Sequence, residues 1–161
     1  MAGLDVLDAA AYSDDEGMAL DVFHVEPRRS PTIEWDRVVR DLELALTGRL
    51  ALSARVEERA RTYSRSKVQP LGPIDPKVLF DNEISYDATV VEVHASDAIG
   101  ALYRVTRAIA ELHLDIHSAK VQTLGLEAVD SFYLRDETGG KVTDPHLLKE
   151  LERAILHALN A

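Results

Sequence analysis

Cysteine is absent from the chain. Disulfides, thiolate metal sites and cysteine nucleophiles are therefore excluded, and a reducing compartment is expected. Basic residues are the minority: 18 Lys and Arg stand against 28 Asp and Glu, a formal charge of −10. A surface of that sign is repelled by phosphate backbones and anionic bilayers, so neither nucleic acid nor membrane is an expected partner. No apolar run approaches the roughly 18 residues that argue for a membrane-crossing helix. The opening "MAGLDVLDAA" lacks the basic and long apolar parts of a secretory signal. The expected location is the cytoplasm. Aromatics make up only 6% of the chain, so its cores must be built mostly from aliphatic side chains.

What is present falls into three zones. Residues 1–48 and 77–161 carry patterned apolar positions, and 49–76 has a different texture. "RLALSARVEERARTYSRSK" (Arg49–Lys67) is charged and helix-favouring; "QPLGPIDP" (Gln69–Pro76) holds three prolines and a glycine, which stop helices and central strands. The zone reads as a helical then proline-rich linker. Its basic residues Arg55, Arg59, Arg61, Arg65 and Lys67 are interspersed with Glu57 and Glu58, the pattern of a solvated helix face.

In the last zone "ATVVEVHA" (Ala88–Ala95) alternates, the mark of a strand. Ile99, Leu102, Val105, Ile109 and Leu112 recur at helical spacing, with Ser96 or Asp97 as possible caps. Leu114–Thr123 and Glu127–Arg135 read as two strands around Gly125. Asp144 then caps a helix whose first residue is Pro145, with Leu147, Leu148, Leu151, Ile155 and Leu159 as its apolar stripe. The order is β-α-β-β-α, with "KVLF" (Lys77–Phe80) as one more short strand upstream.

The first zone repeats part of this. Leu4-Asp5-Val6 aligns with Leu114-Asp115-Ile116. After one length change in the turn, Ala19, Asp21 and Phe23 align with Ala128, Asp130 and Phe132. A helix from about Ile33 to Leu46 follows, with Trp35, Val38, Val39, Leu42 and Leu46 apolar. Nothing upstream matches Ala88–His113, so residues 1–48 are expected to form a β-β-α piece lacking its opening strand and helix. Such a piece leaves an apolar face and a sheet edge uncovered. Completion by a longer polypeptide is the favoured expectation; completion by another chain is the alternative.

The β-α-β-β-α order, and above all "TLGLEAVDSFYLRDETGGKVTDP" (Thr123–Pro145) with "LFDNEIS" (Leu79–Ser85), resembles the ACT-type regulatory domain. The closest resemblance is to the tandem ACT pair at the C-terminus of the bifunctional enzymes that uridylylate the PII nitrogen-signalling protein. That resemblance implies an α+β ferredoxin-like sandwich, βαββα(β), whose antiparallel sheet carries helices on one face, preceded by a partial ββα copy. It implies a sensor of a small amino acid, glutamine by family analogy, possible ACT–ACT pairing, and action on PII through a full-length enzyme. Mg2+ would belong only to the nucleotidyltransferase and HD-hydrolase domains of such an enzyme, and UTP and ATP both stay open as its nucleotide. No Gly-Ser with spaced aspartates and no adjacent His-Asp pair occurs in this sequence. The chain itself reads as non-catalytic, with no cofactor of its own. An ACT-type interaction module without a ligand is the competing expectation.

The run Asp97-Ala98-Ile99-Gly100 keeps the glycine of the family's arginine-proline-glycine pattern but not its arginine and proline. Read as lying one turn inside a helix, this glycine would cost about 1 kcal/mol against alanine. Exposed backbone N–H groups at a helix start suit a carboxylate. The expected ligand site is therefore Ser96, Asp97, Ala98, Ile99, Gly100, Ala101 and Leu102, faced by Asp115, Ile116 and His117 on the next strand, with Asp115 near the ligand ammonium. "HLDIH" (His113–His117) passes from helix to strand and does not converge as metal ligands. Asp14-Asp15-Glu16 reads as a solvated hairpin tip.

Overall fold

The computed structural model describes residues 4–14, 16–27, 33–64, 74–125 and 127–160. In chain order the elements are β1 (Leu4–Ser13), β2 (Ala19–Pro27), α1 (Trp35–Leu46), α2 (Leu52–Ser64), β3 (Lys77–Asp81), β4 (Thr89–Ser96), α3 (Ala101–Glu111), β5 (Asp115–Leu124), β6 (Glu127–Arg135) and α4 (Pro145–Asn160). The strands form one antiparallel sheet in the order β2-β1-β5-β6-β4-β3.

Alternation along β4 and β6 puts Val91, Val93, Phe132 and Leu134 on one face, each at most 2% exposed. Val105 and Ile109 of α3 and Leu151 and Ile155 of α4 close over them. Each such side chain contributes about 1.5–3 kcal/mol by leaving water. The arrangement is the ferredoxin-like α+β sandwich.

One feature of its edge differs from the expected order. The position bracketed for a strand after α4 is taken by β3, which precedes the sandwich and pairs antiparallel with β4 from Lys77↔His94 to Asp81↔Val90. The segment after β3 is pinned by a buried polar knot. Thr89 Oγ donates to Asn82 Oδ1 at 2.6 Å and accepts from Val142 N–H at 2.8 Å. Lys141 Nζ donates to the Asn82 carbonyl at 2.6 Å.

α4 starts as the sequence suggests. Asp144 Oδ1 accepts from His146 N–H at 2.9 Å, and Pro145 occupies the first helical position, where a missing N–H does no harm.

β1 and β2 form a hairpin that extends the sheet, β1 lying against β5 with Ala10 opposite Lys120. α1 follows them but has no buried residue; Trp35, Val39, Leu42 and Leu46 are all exposed. At the hairpin tip, Asp14 Oδ1 accepts from the N–H groups of Glu16 and Met18, an ordinary turn; Asp15 lies outside the described residues. α2 lies within the stretch expected to be a helical linker. Arg65, Lys67, Pro70 and Pro73 lie outside the described residues. Among those residues, no helix is long and apolar enough to cross a membrane.

Candidate functional site

β4 ends at Ser96, and the chain reaches α3 through Asp97, Ala98, Ile99 and Gly100. Gly100 is the cap of α3 rather than a residue one turn inside it, and its φ is +81°. No side chain caps the helix. Ser96 does not, because its Oγ accepts from Ile74 N–H at 3.2 Å. Two constraints select glycine. The left-handed φ suits it, and a Cβ there would lie 2.3 Å from Cγ1 of Val56 on α2. Val56 is 5% exposed, so α2 packs directly onto the start of α3. The Ala98 carbonyl accepts from Ala101 N–H at 3.1 Å. Arg104 steadies the turn from behind: its Nη1 donates to the Ile99 carbonyl at 3.4 Å and its Nε to the Ala158 carbonyl at 2.7 Å. Asp97 and Ala98 stay exposed, while Ala101 is buried and Leu102 packs on the core.

Asp115, Ile116 and His117 do not face this turn within the sandwich. Ser96 pairs with Glu127 at one end of β6, and Asp115 pairs with Arg135 at the other. At about 3.4 Å per residue the two ends are roughly 27 Å apart. The ten expected site residues therefore split into Ser96–Leu102 and Asp115–His117, because β5 and β4 run in the same direction on either side of β6. What lies at the turn's end of the sheet is the first half of β1. Asp8 pairs with Gln122, which pairs with Val129, next but one to Glu127.

The two edges of this seam correspond. The β1–β2 register shifts between Val6 and Asp8, at Leu7; the β5–β6 register shifts between Ile116 and Ser118, at His117. The alignment that sets Leu4-Asp5-Val6 on Leu114-Asp115-Ile116 sets Leu7 on His117 and Ala10 on Lys120. Two bulges coincide, and the residue pair at the middle of the seam is a matched pair.

A cross-sheet row ends beneath this region. Val93, Asp130, Val121, Ala9 and Phe23 are successive partners across β4, β6, β5, β1 and β2, on the core-facing side. Asp130 is 5% exposed. Burial pushes its carboxyl up to about 6; the Gln122 N–H that its carboxylate accepts pulls the other way, and the Asp97 carboxylate adds to the rise. Its Oδ1 has no hydrogen-bond partner among the described residues. Asp130, Val56 and Leu7 were not among the expected site residues. For Asp130 the sequence held a signal: it occupies the apolar phase of "AVDSFYL", in step with Ala128, Phe132 and Leu134.

Residues 84–160 match the model of the ACR family N-terminal ACT domain. The bifunctional uridylyltransferase/uridylyl-removing enzyme of Azospirillum brasilense is 38% identical, covering 98% of this chain and 17% of that protein. The proteins of the same name from Gluconobacter oxydans and Rhodospirillum rubrum are 36% and 33% identical, covering 100% and 99% of this chain and again 17% of each relative. No solved structure matches. Residues 84–160 are an ACT domain, and nearly the whole chain is similar to these enzymes. It spans 17% of the length of these relatives.

Elsewhere on the ACT domain, His94 sits on the opposite sheet face between two carboxylates. Nε2 lies 2.6 Å from Glu92 Oε1 and Nδ1 3.0 Å from Glu127 Oε1, and these two partners raise its pKa. His113 is at the end of α3 with φ +56°. A cleft of about 360 Å³ lies between α2, α3 and α4, lined by Ser53, Val56, Tyr103, Arg104, Arg107 and His157 among others. None of the expected ligand residues lines it. Among the described residues, no group of three or more His, Asp or Glu is placed to hold a metal ion.

Proposed function

We propose that this chain is the amino-acid-sensing region of a PII-protein nucleotidyltransferase/nucleotidyl-removing enzyme, with glutamine as its ligand. One observation carries the reading: the β1–β5 seam sets the start of β1 at the same end of the sheet as the uncapped start of α3, across β5 and β6. The wall sought in Asp115–His117 is then supplied by the matching segment of the first unit, Val6-Leu7. The coincident bulges at Leu7 and His117 support reading residues 1–48 as a partial second ACT unit, hence a tandem repeat. A ligand held between two units favours the arrangement in which both walls are close. It biases distant activities only by that difference in affinity.

Calorimetric titration of the full chain with L-glutamine, and with the other common amino acids as controls, tests the reading. Saturable heat with glutamine is expected; no heat with any amino acid refutes it. A second reading, an interaction module without a ligand, is favoured by the exposed apolar residues of α1 and by Val22 and Phe23 on β2. That reading expects tight, concentration-dependent assembly in sedimentation, where the sensor expects a monomer or weak dimer.

A further inference from the structure

Asp130 is an acidic residue in an apolar row, only 5% exposed, with one carboxylate oxygen unpartnered among the described residues. Its other interaction is with the Gln122 N–H, and the charged neighbour that acts on it is Asp97, a second carboxylate. A buried anion beside another anion lacks a cation. A neutral donor would satisfy the hydrogen bond but leave the charge; an ammonium satisfies both.

Its position gives this a direction. Asp130 lies three residues along β6 from Glu127, which pairs with Ser96, where the chain turns through Asp97–Gly100 into α3. The start of α3 has no side-chain cap, and its first N–H groups favour an anion. A buried acceptor short of a cation and a helix start that suits a carboxylate sit on neighbouring elements. Those are the two halves of zwitterion recognition. We propose that Asp130 anchors the ammonium of the α-amino-acid ligand while the start of α3 takes its carboxylate. Val121, Ala9 and Phe23, continuing the row across the seam, lie beneath the ligand's side chain; Phe23 is 55% exposed and offers the apolar surface. The inference rests on the amino-acid reading above. It moves the ammonium partner from Asp115, at the far end of β5, to Asp130.

The test is a cycle on the full chain. Wild type and Asp130→Asn are each titrated with L-glutamine and with 4-carbamoylbutanoate, which is glutamine without its α-ammonium. If another common amino acid gives the heat, that amino acid and its deamino acid replace the pair. Wild type is expected to prefer the ammonium-bearing ligand at least tenfold. In Asp130→Asn the amino acid weakens at least tenfold and the preference falls to about one. A variant that weakens both ligands equally, or that keeps the wild-type preference, overturns the anchor. A wild type that binds no amino acid overturns the sensing reading instead, so the two failures are distinct. Melting curves establish that the variant folds; Asp130→Ser takes its place if asparagine does not.

Discussion

Replacing Asp130 by asparagine should stabilise the fold, and only above acidic pH. In the folded state its carboxyl is raised from 3.8 to about 6, mainly by burial. The sign follows directly. Below pH 3.8 the group is protonated both folded and unfolded and contributes no difference. As pH rises toward 6 the unfolded chain releases the proton while the folded chain retains it, and stability falls. Above 6 the loss is complete and constant. A gap of about two units at 1.36 kcal/mol each gives a ceiling of about 3 kcal/mol at neutral pH. Local relaxation lowers this, so about 2 kcal/mol is expected. Asparagine keeps an oxygen for the Gln122 N–H and removes the charge. Urea unfolding of both proteins at pH 4 and pH 7.5 reads the effect, with near-equal midpoints at pH 4 and a higher midpoint for the variant at 7.5. A stability difference that does not change with pH, or a variant weaker at 7.5, would refute the reasoning. A charge held at that expense in an apolar row points to a use beyond folding.

Three other substitutions have expected outcomes. Gly100→Ala places a methyl against Val56 at a left-handed φ, and should lower stability by about 1–3 kcal/mol; Val56→Ala in the same chain should recover part of that loss in thermal melts. α1 and α3 end alike: the Arg49 and Gly48 N–H groups return to the Leu44 and Ala45 carbonyls, as the Leu114 and His113 N–H groups do to Ile109 and Ala110. The first has glycine at the left-handed position and the second His113, so His113→Gly should raise stability by about 0.5–1 kcal/mol in urea unfolding. The raised pKa of His94 means its pairing with Glu92 and Glu127 stabilises fully below pH 6.5 and fades as pH rises through the folded-state value. His94→Gln should therefore be weaker than wild type at pH 5.5 and nearly equal at pH 9 in the same assay.

The strands and helices of the sandwich were readable because their apolar period is unbroken and their signals are local. Asp144 before Pro145 marks the start of α4, and alternation over Glu127–Arg135 marks β6 to the residue. The start of α3 was misread for a non-local reason. Ser96 and Asp97 are good capping residues, but Ser96 is taken by Ile74, and the conformation of Gly100 depends on Val56, far upstream. The candidate site was half visible. Helix-start chemistry pointed to Ser96–Leu102, yet strand direction decides which end of β5 lies at that turn, and alternation carries no direction. Beyond β5, the segment at that end of the sheet belongs to β1, a neighbour set only when the two hairpins pair. Asp130 was visible as a break in phase, though its unpaired oxygen is a tertiary fact.

β3 has a mechanical consequence. The strand that closes one side of the sheet is also where the linker enters, and its first rung, Lys77 against His94, lies next to the Ile74–Ser96 contact. A pull arriving along the linker would unzip this border rung by rung, starting at the root of the turn into α3. Slack or tension upstream would thus be felt at that turn before the interior yields.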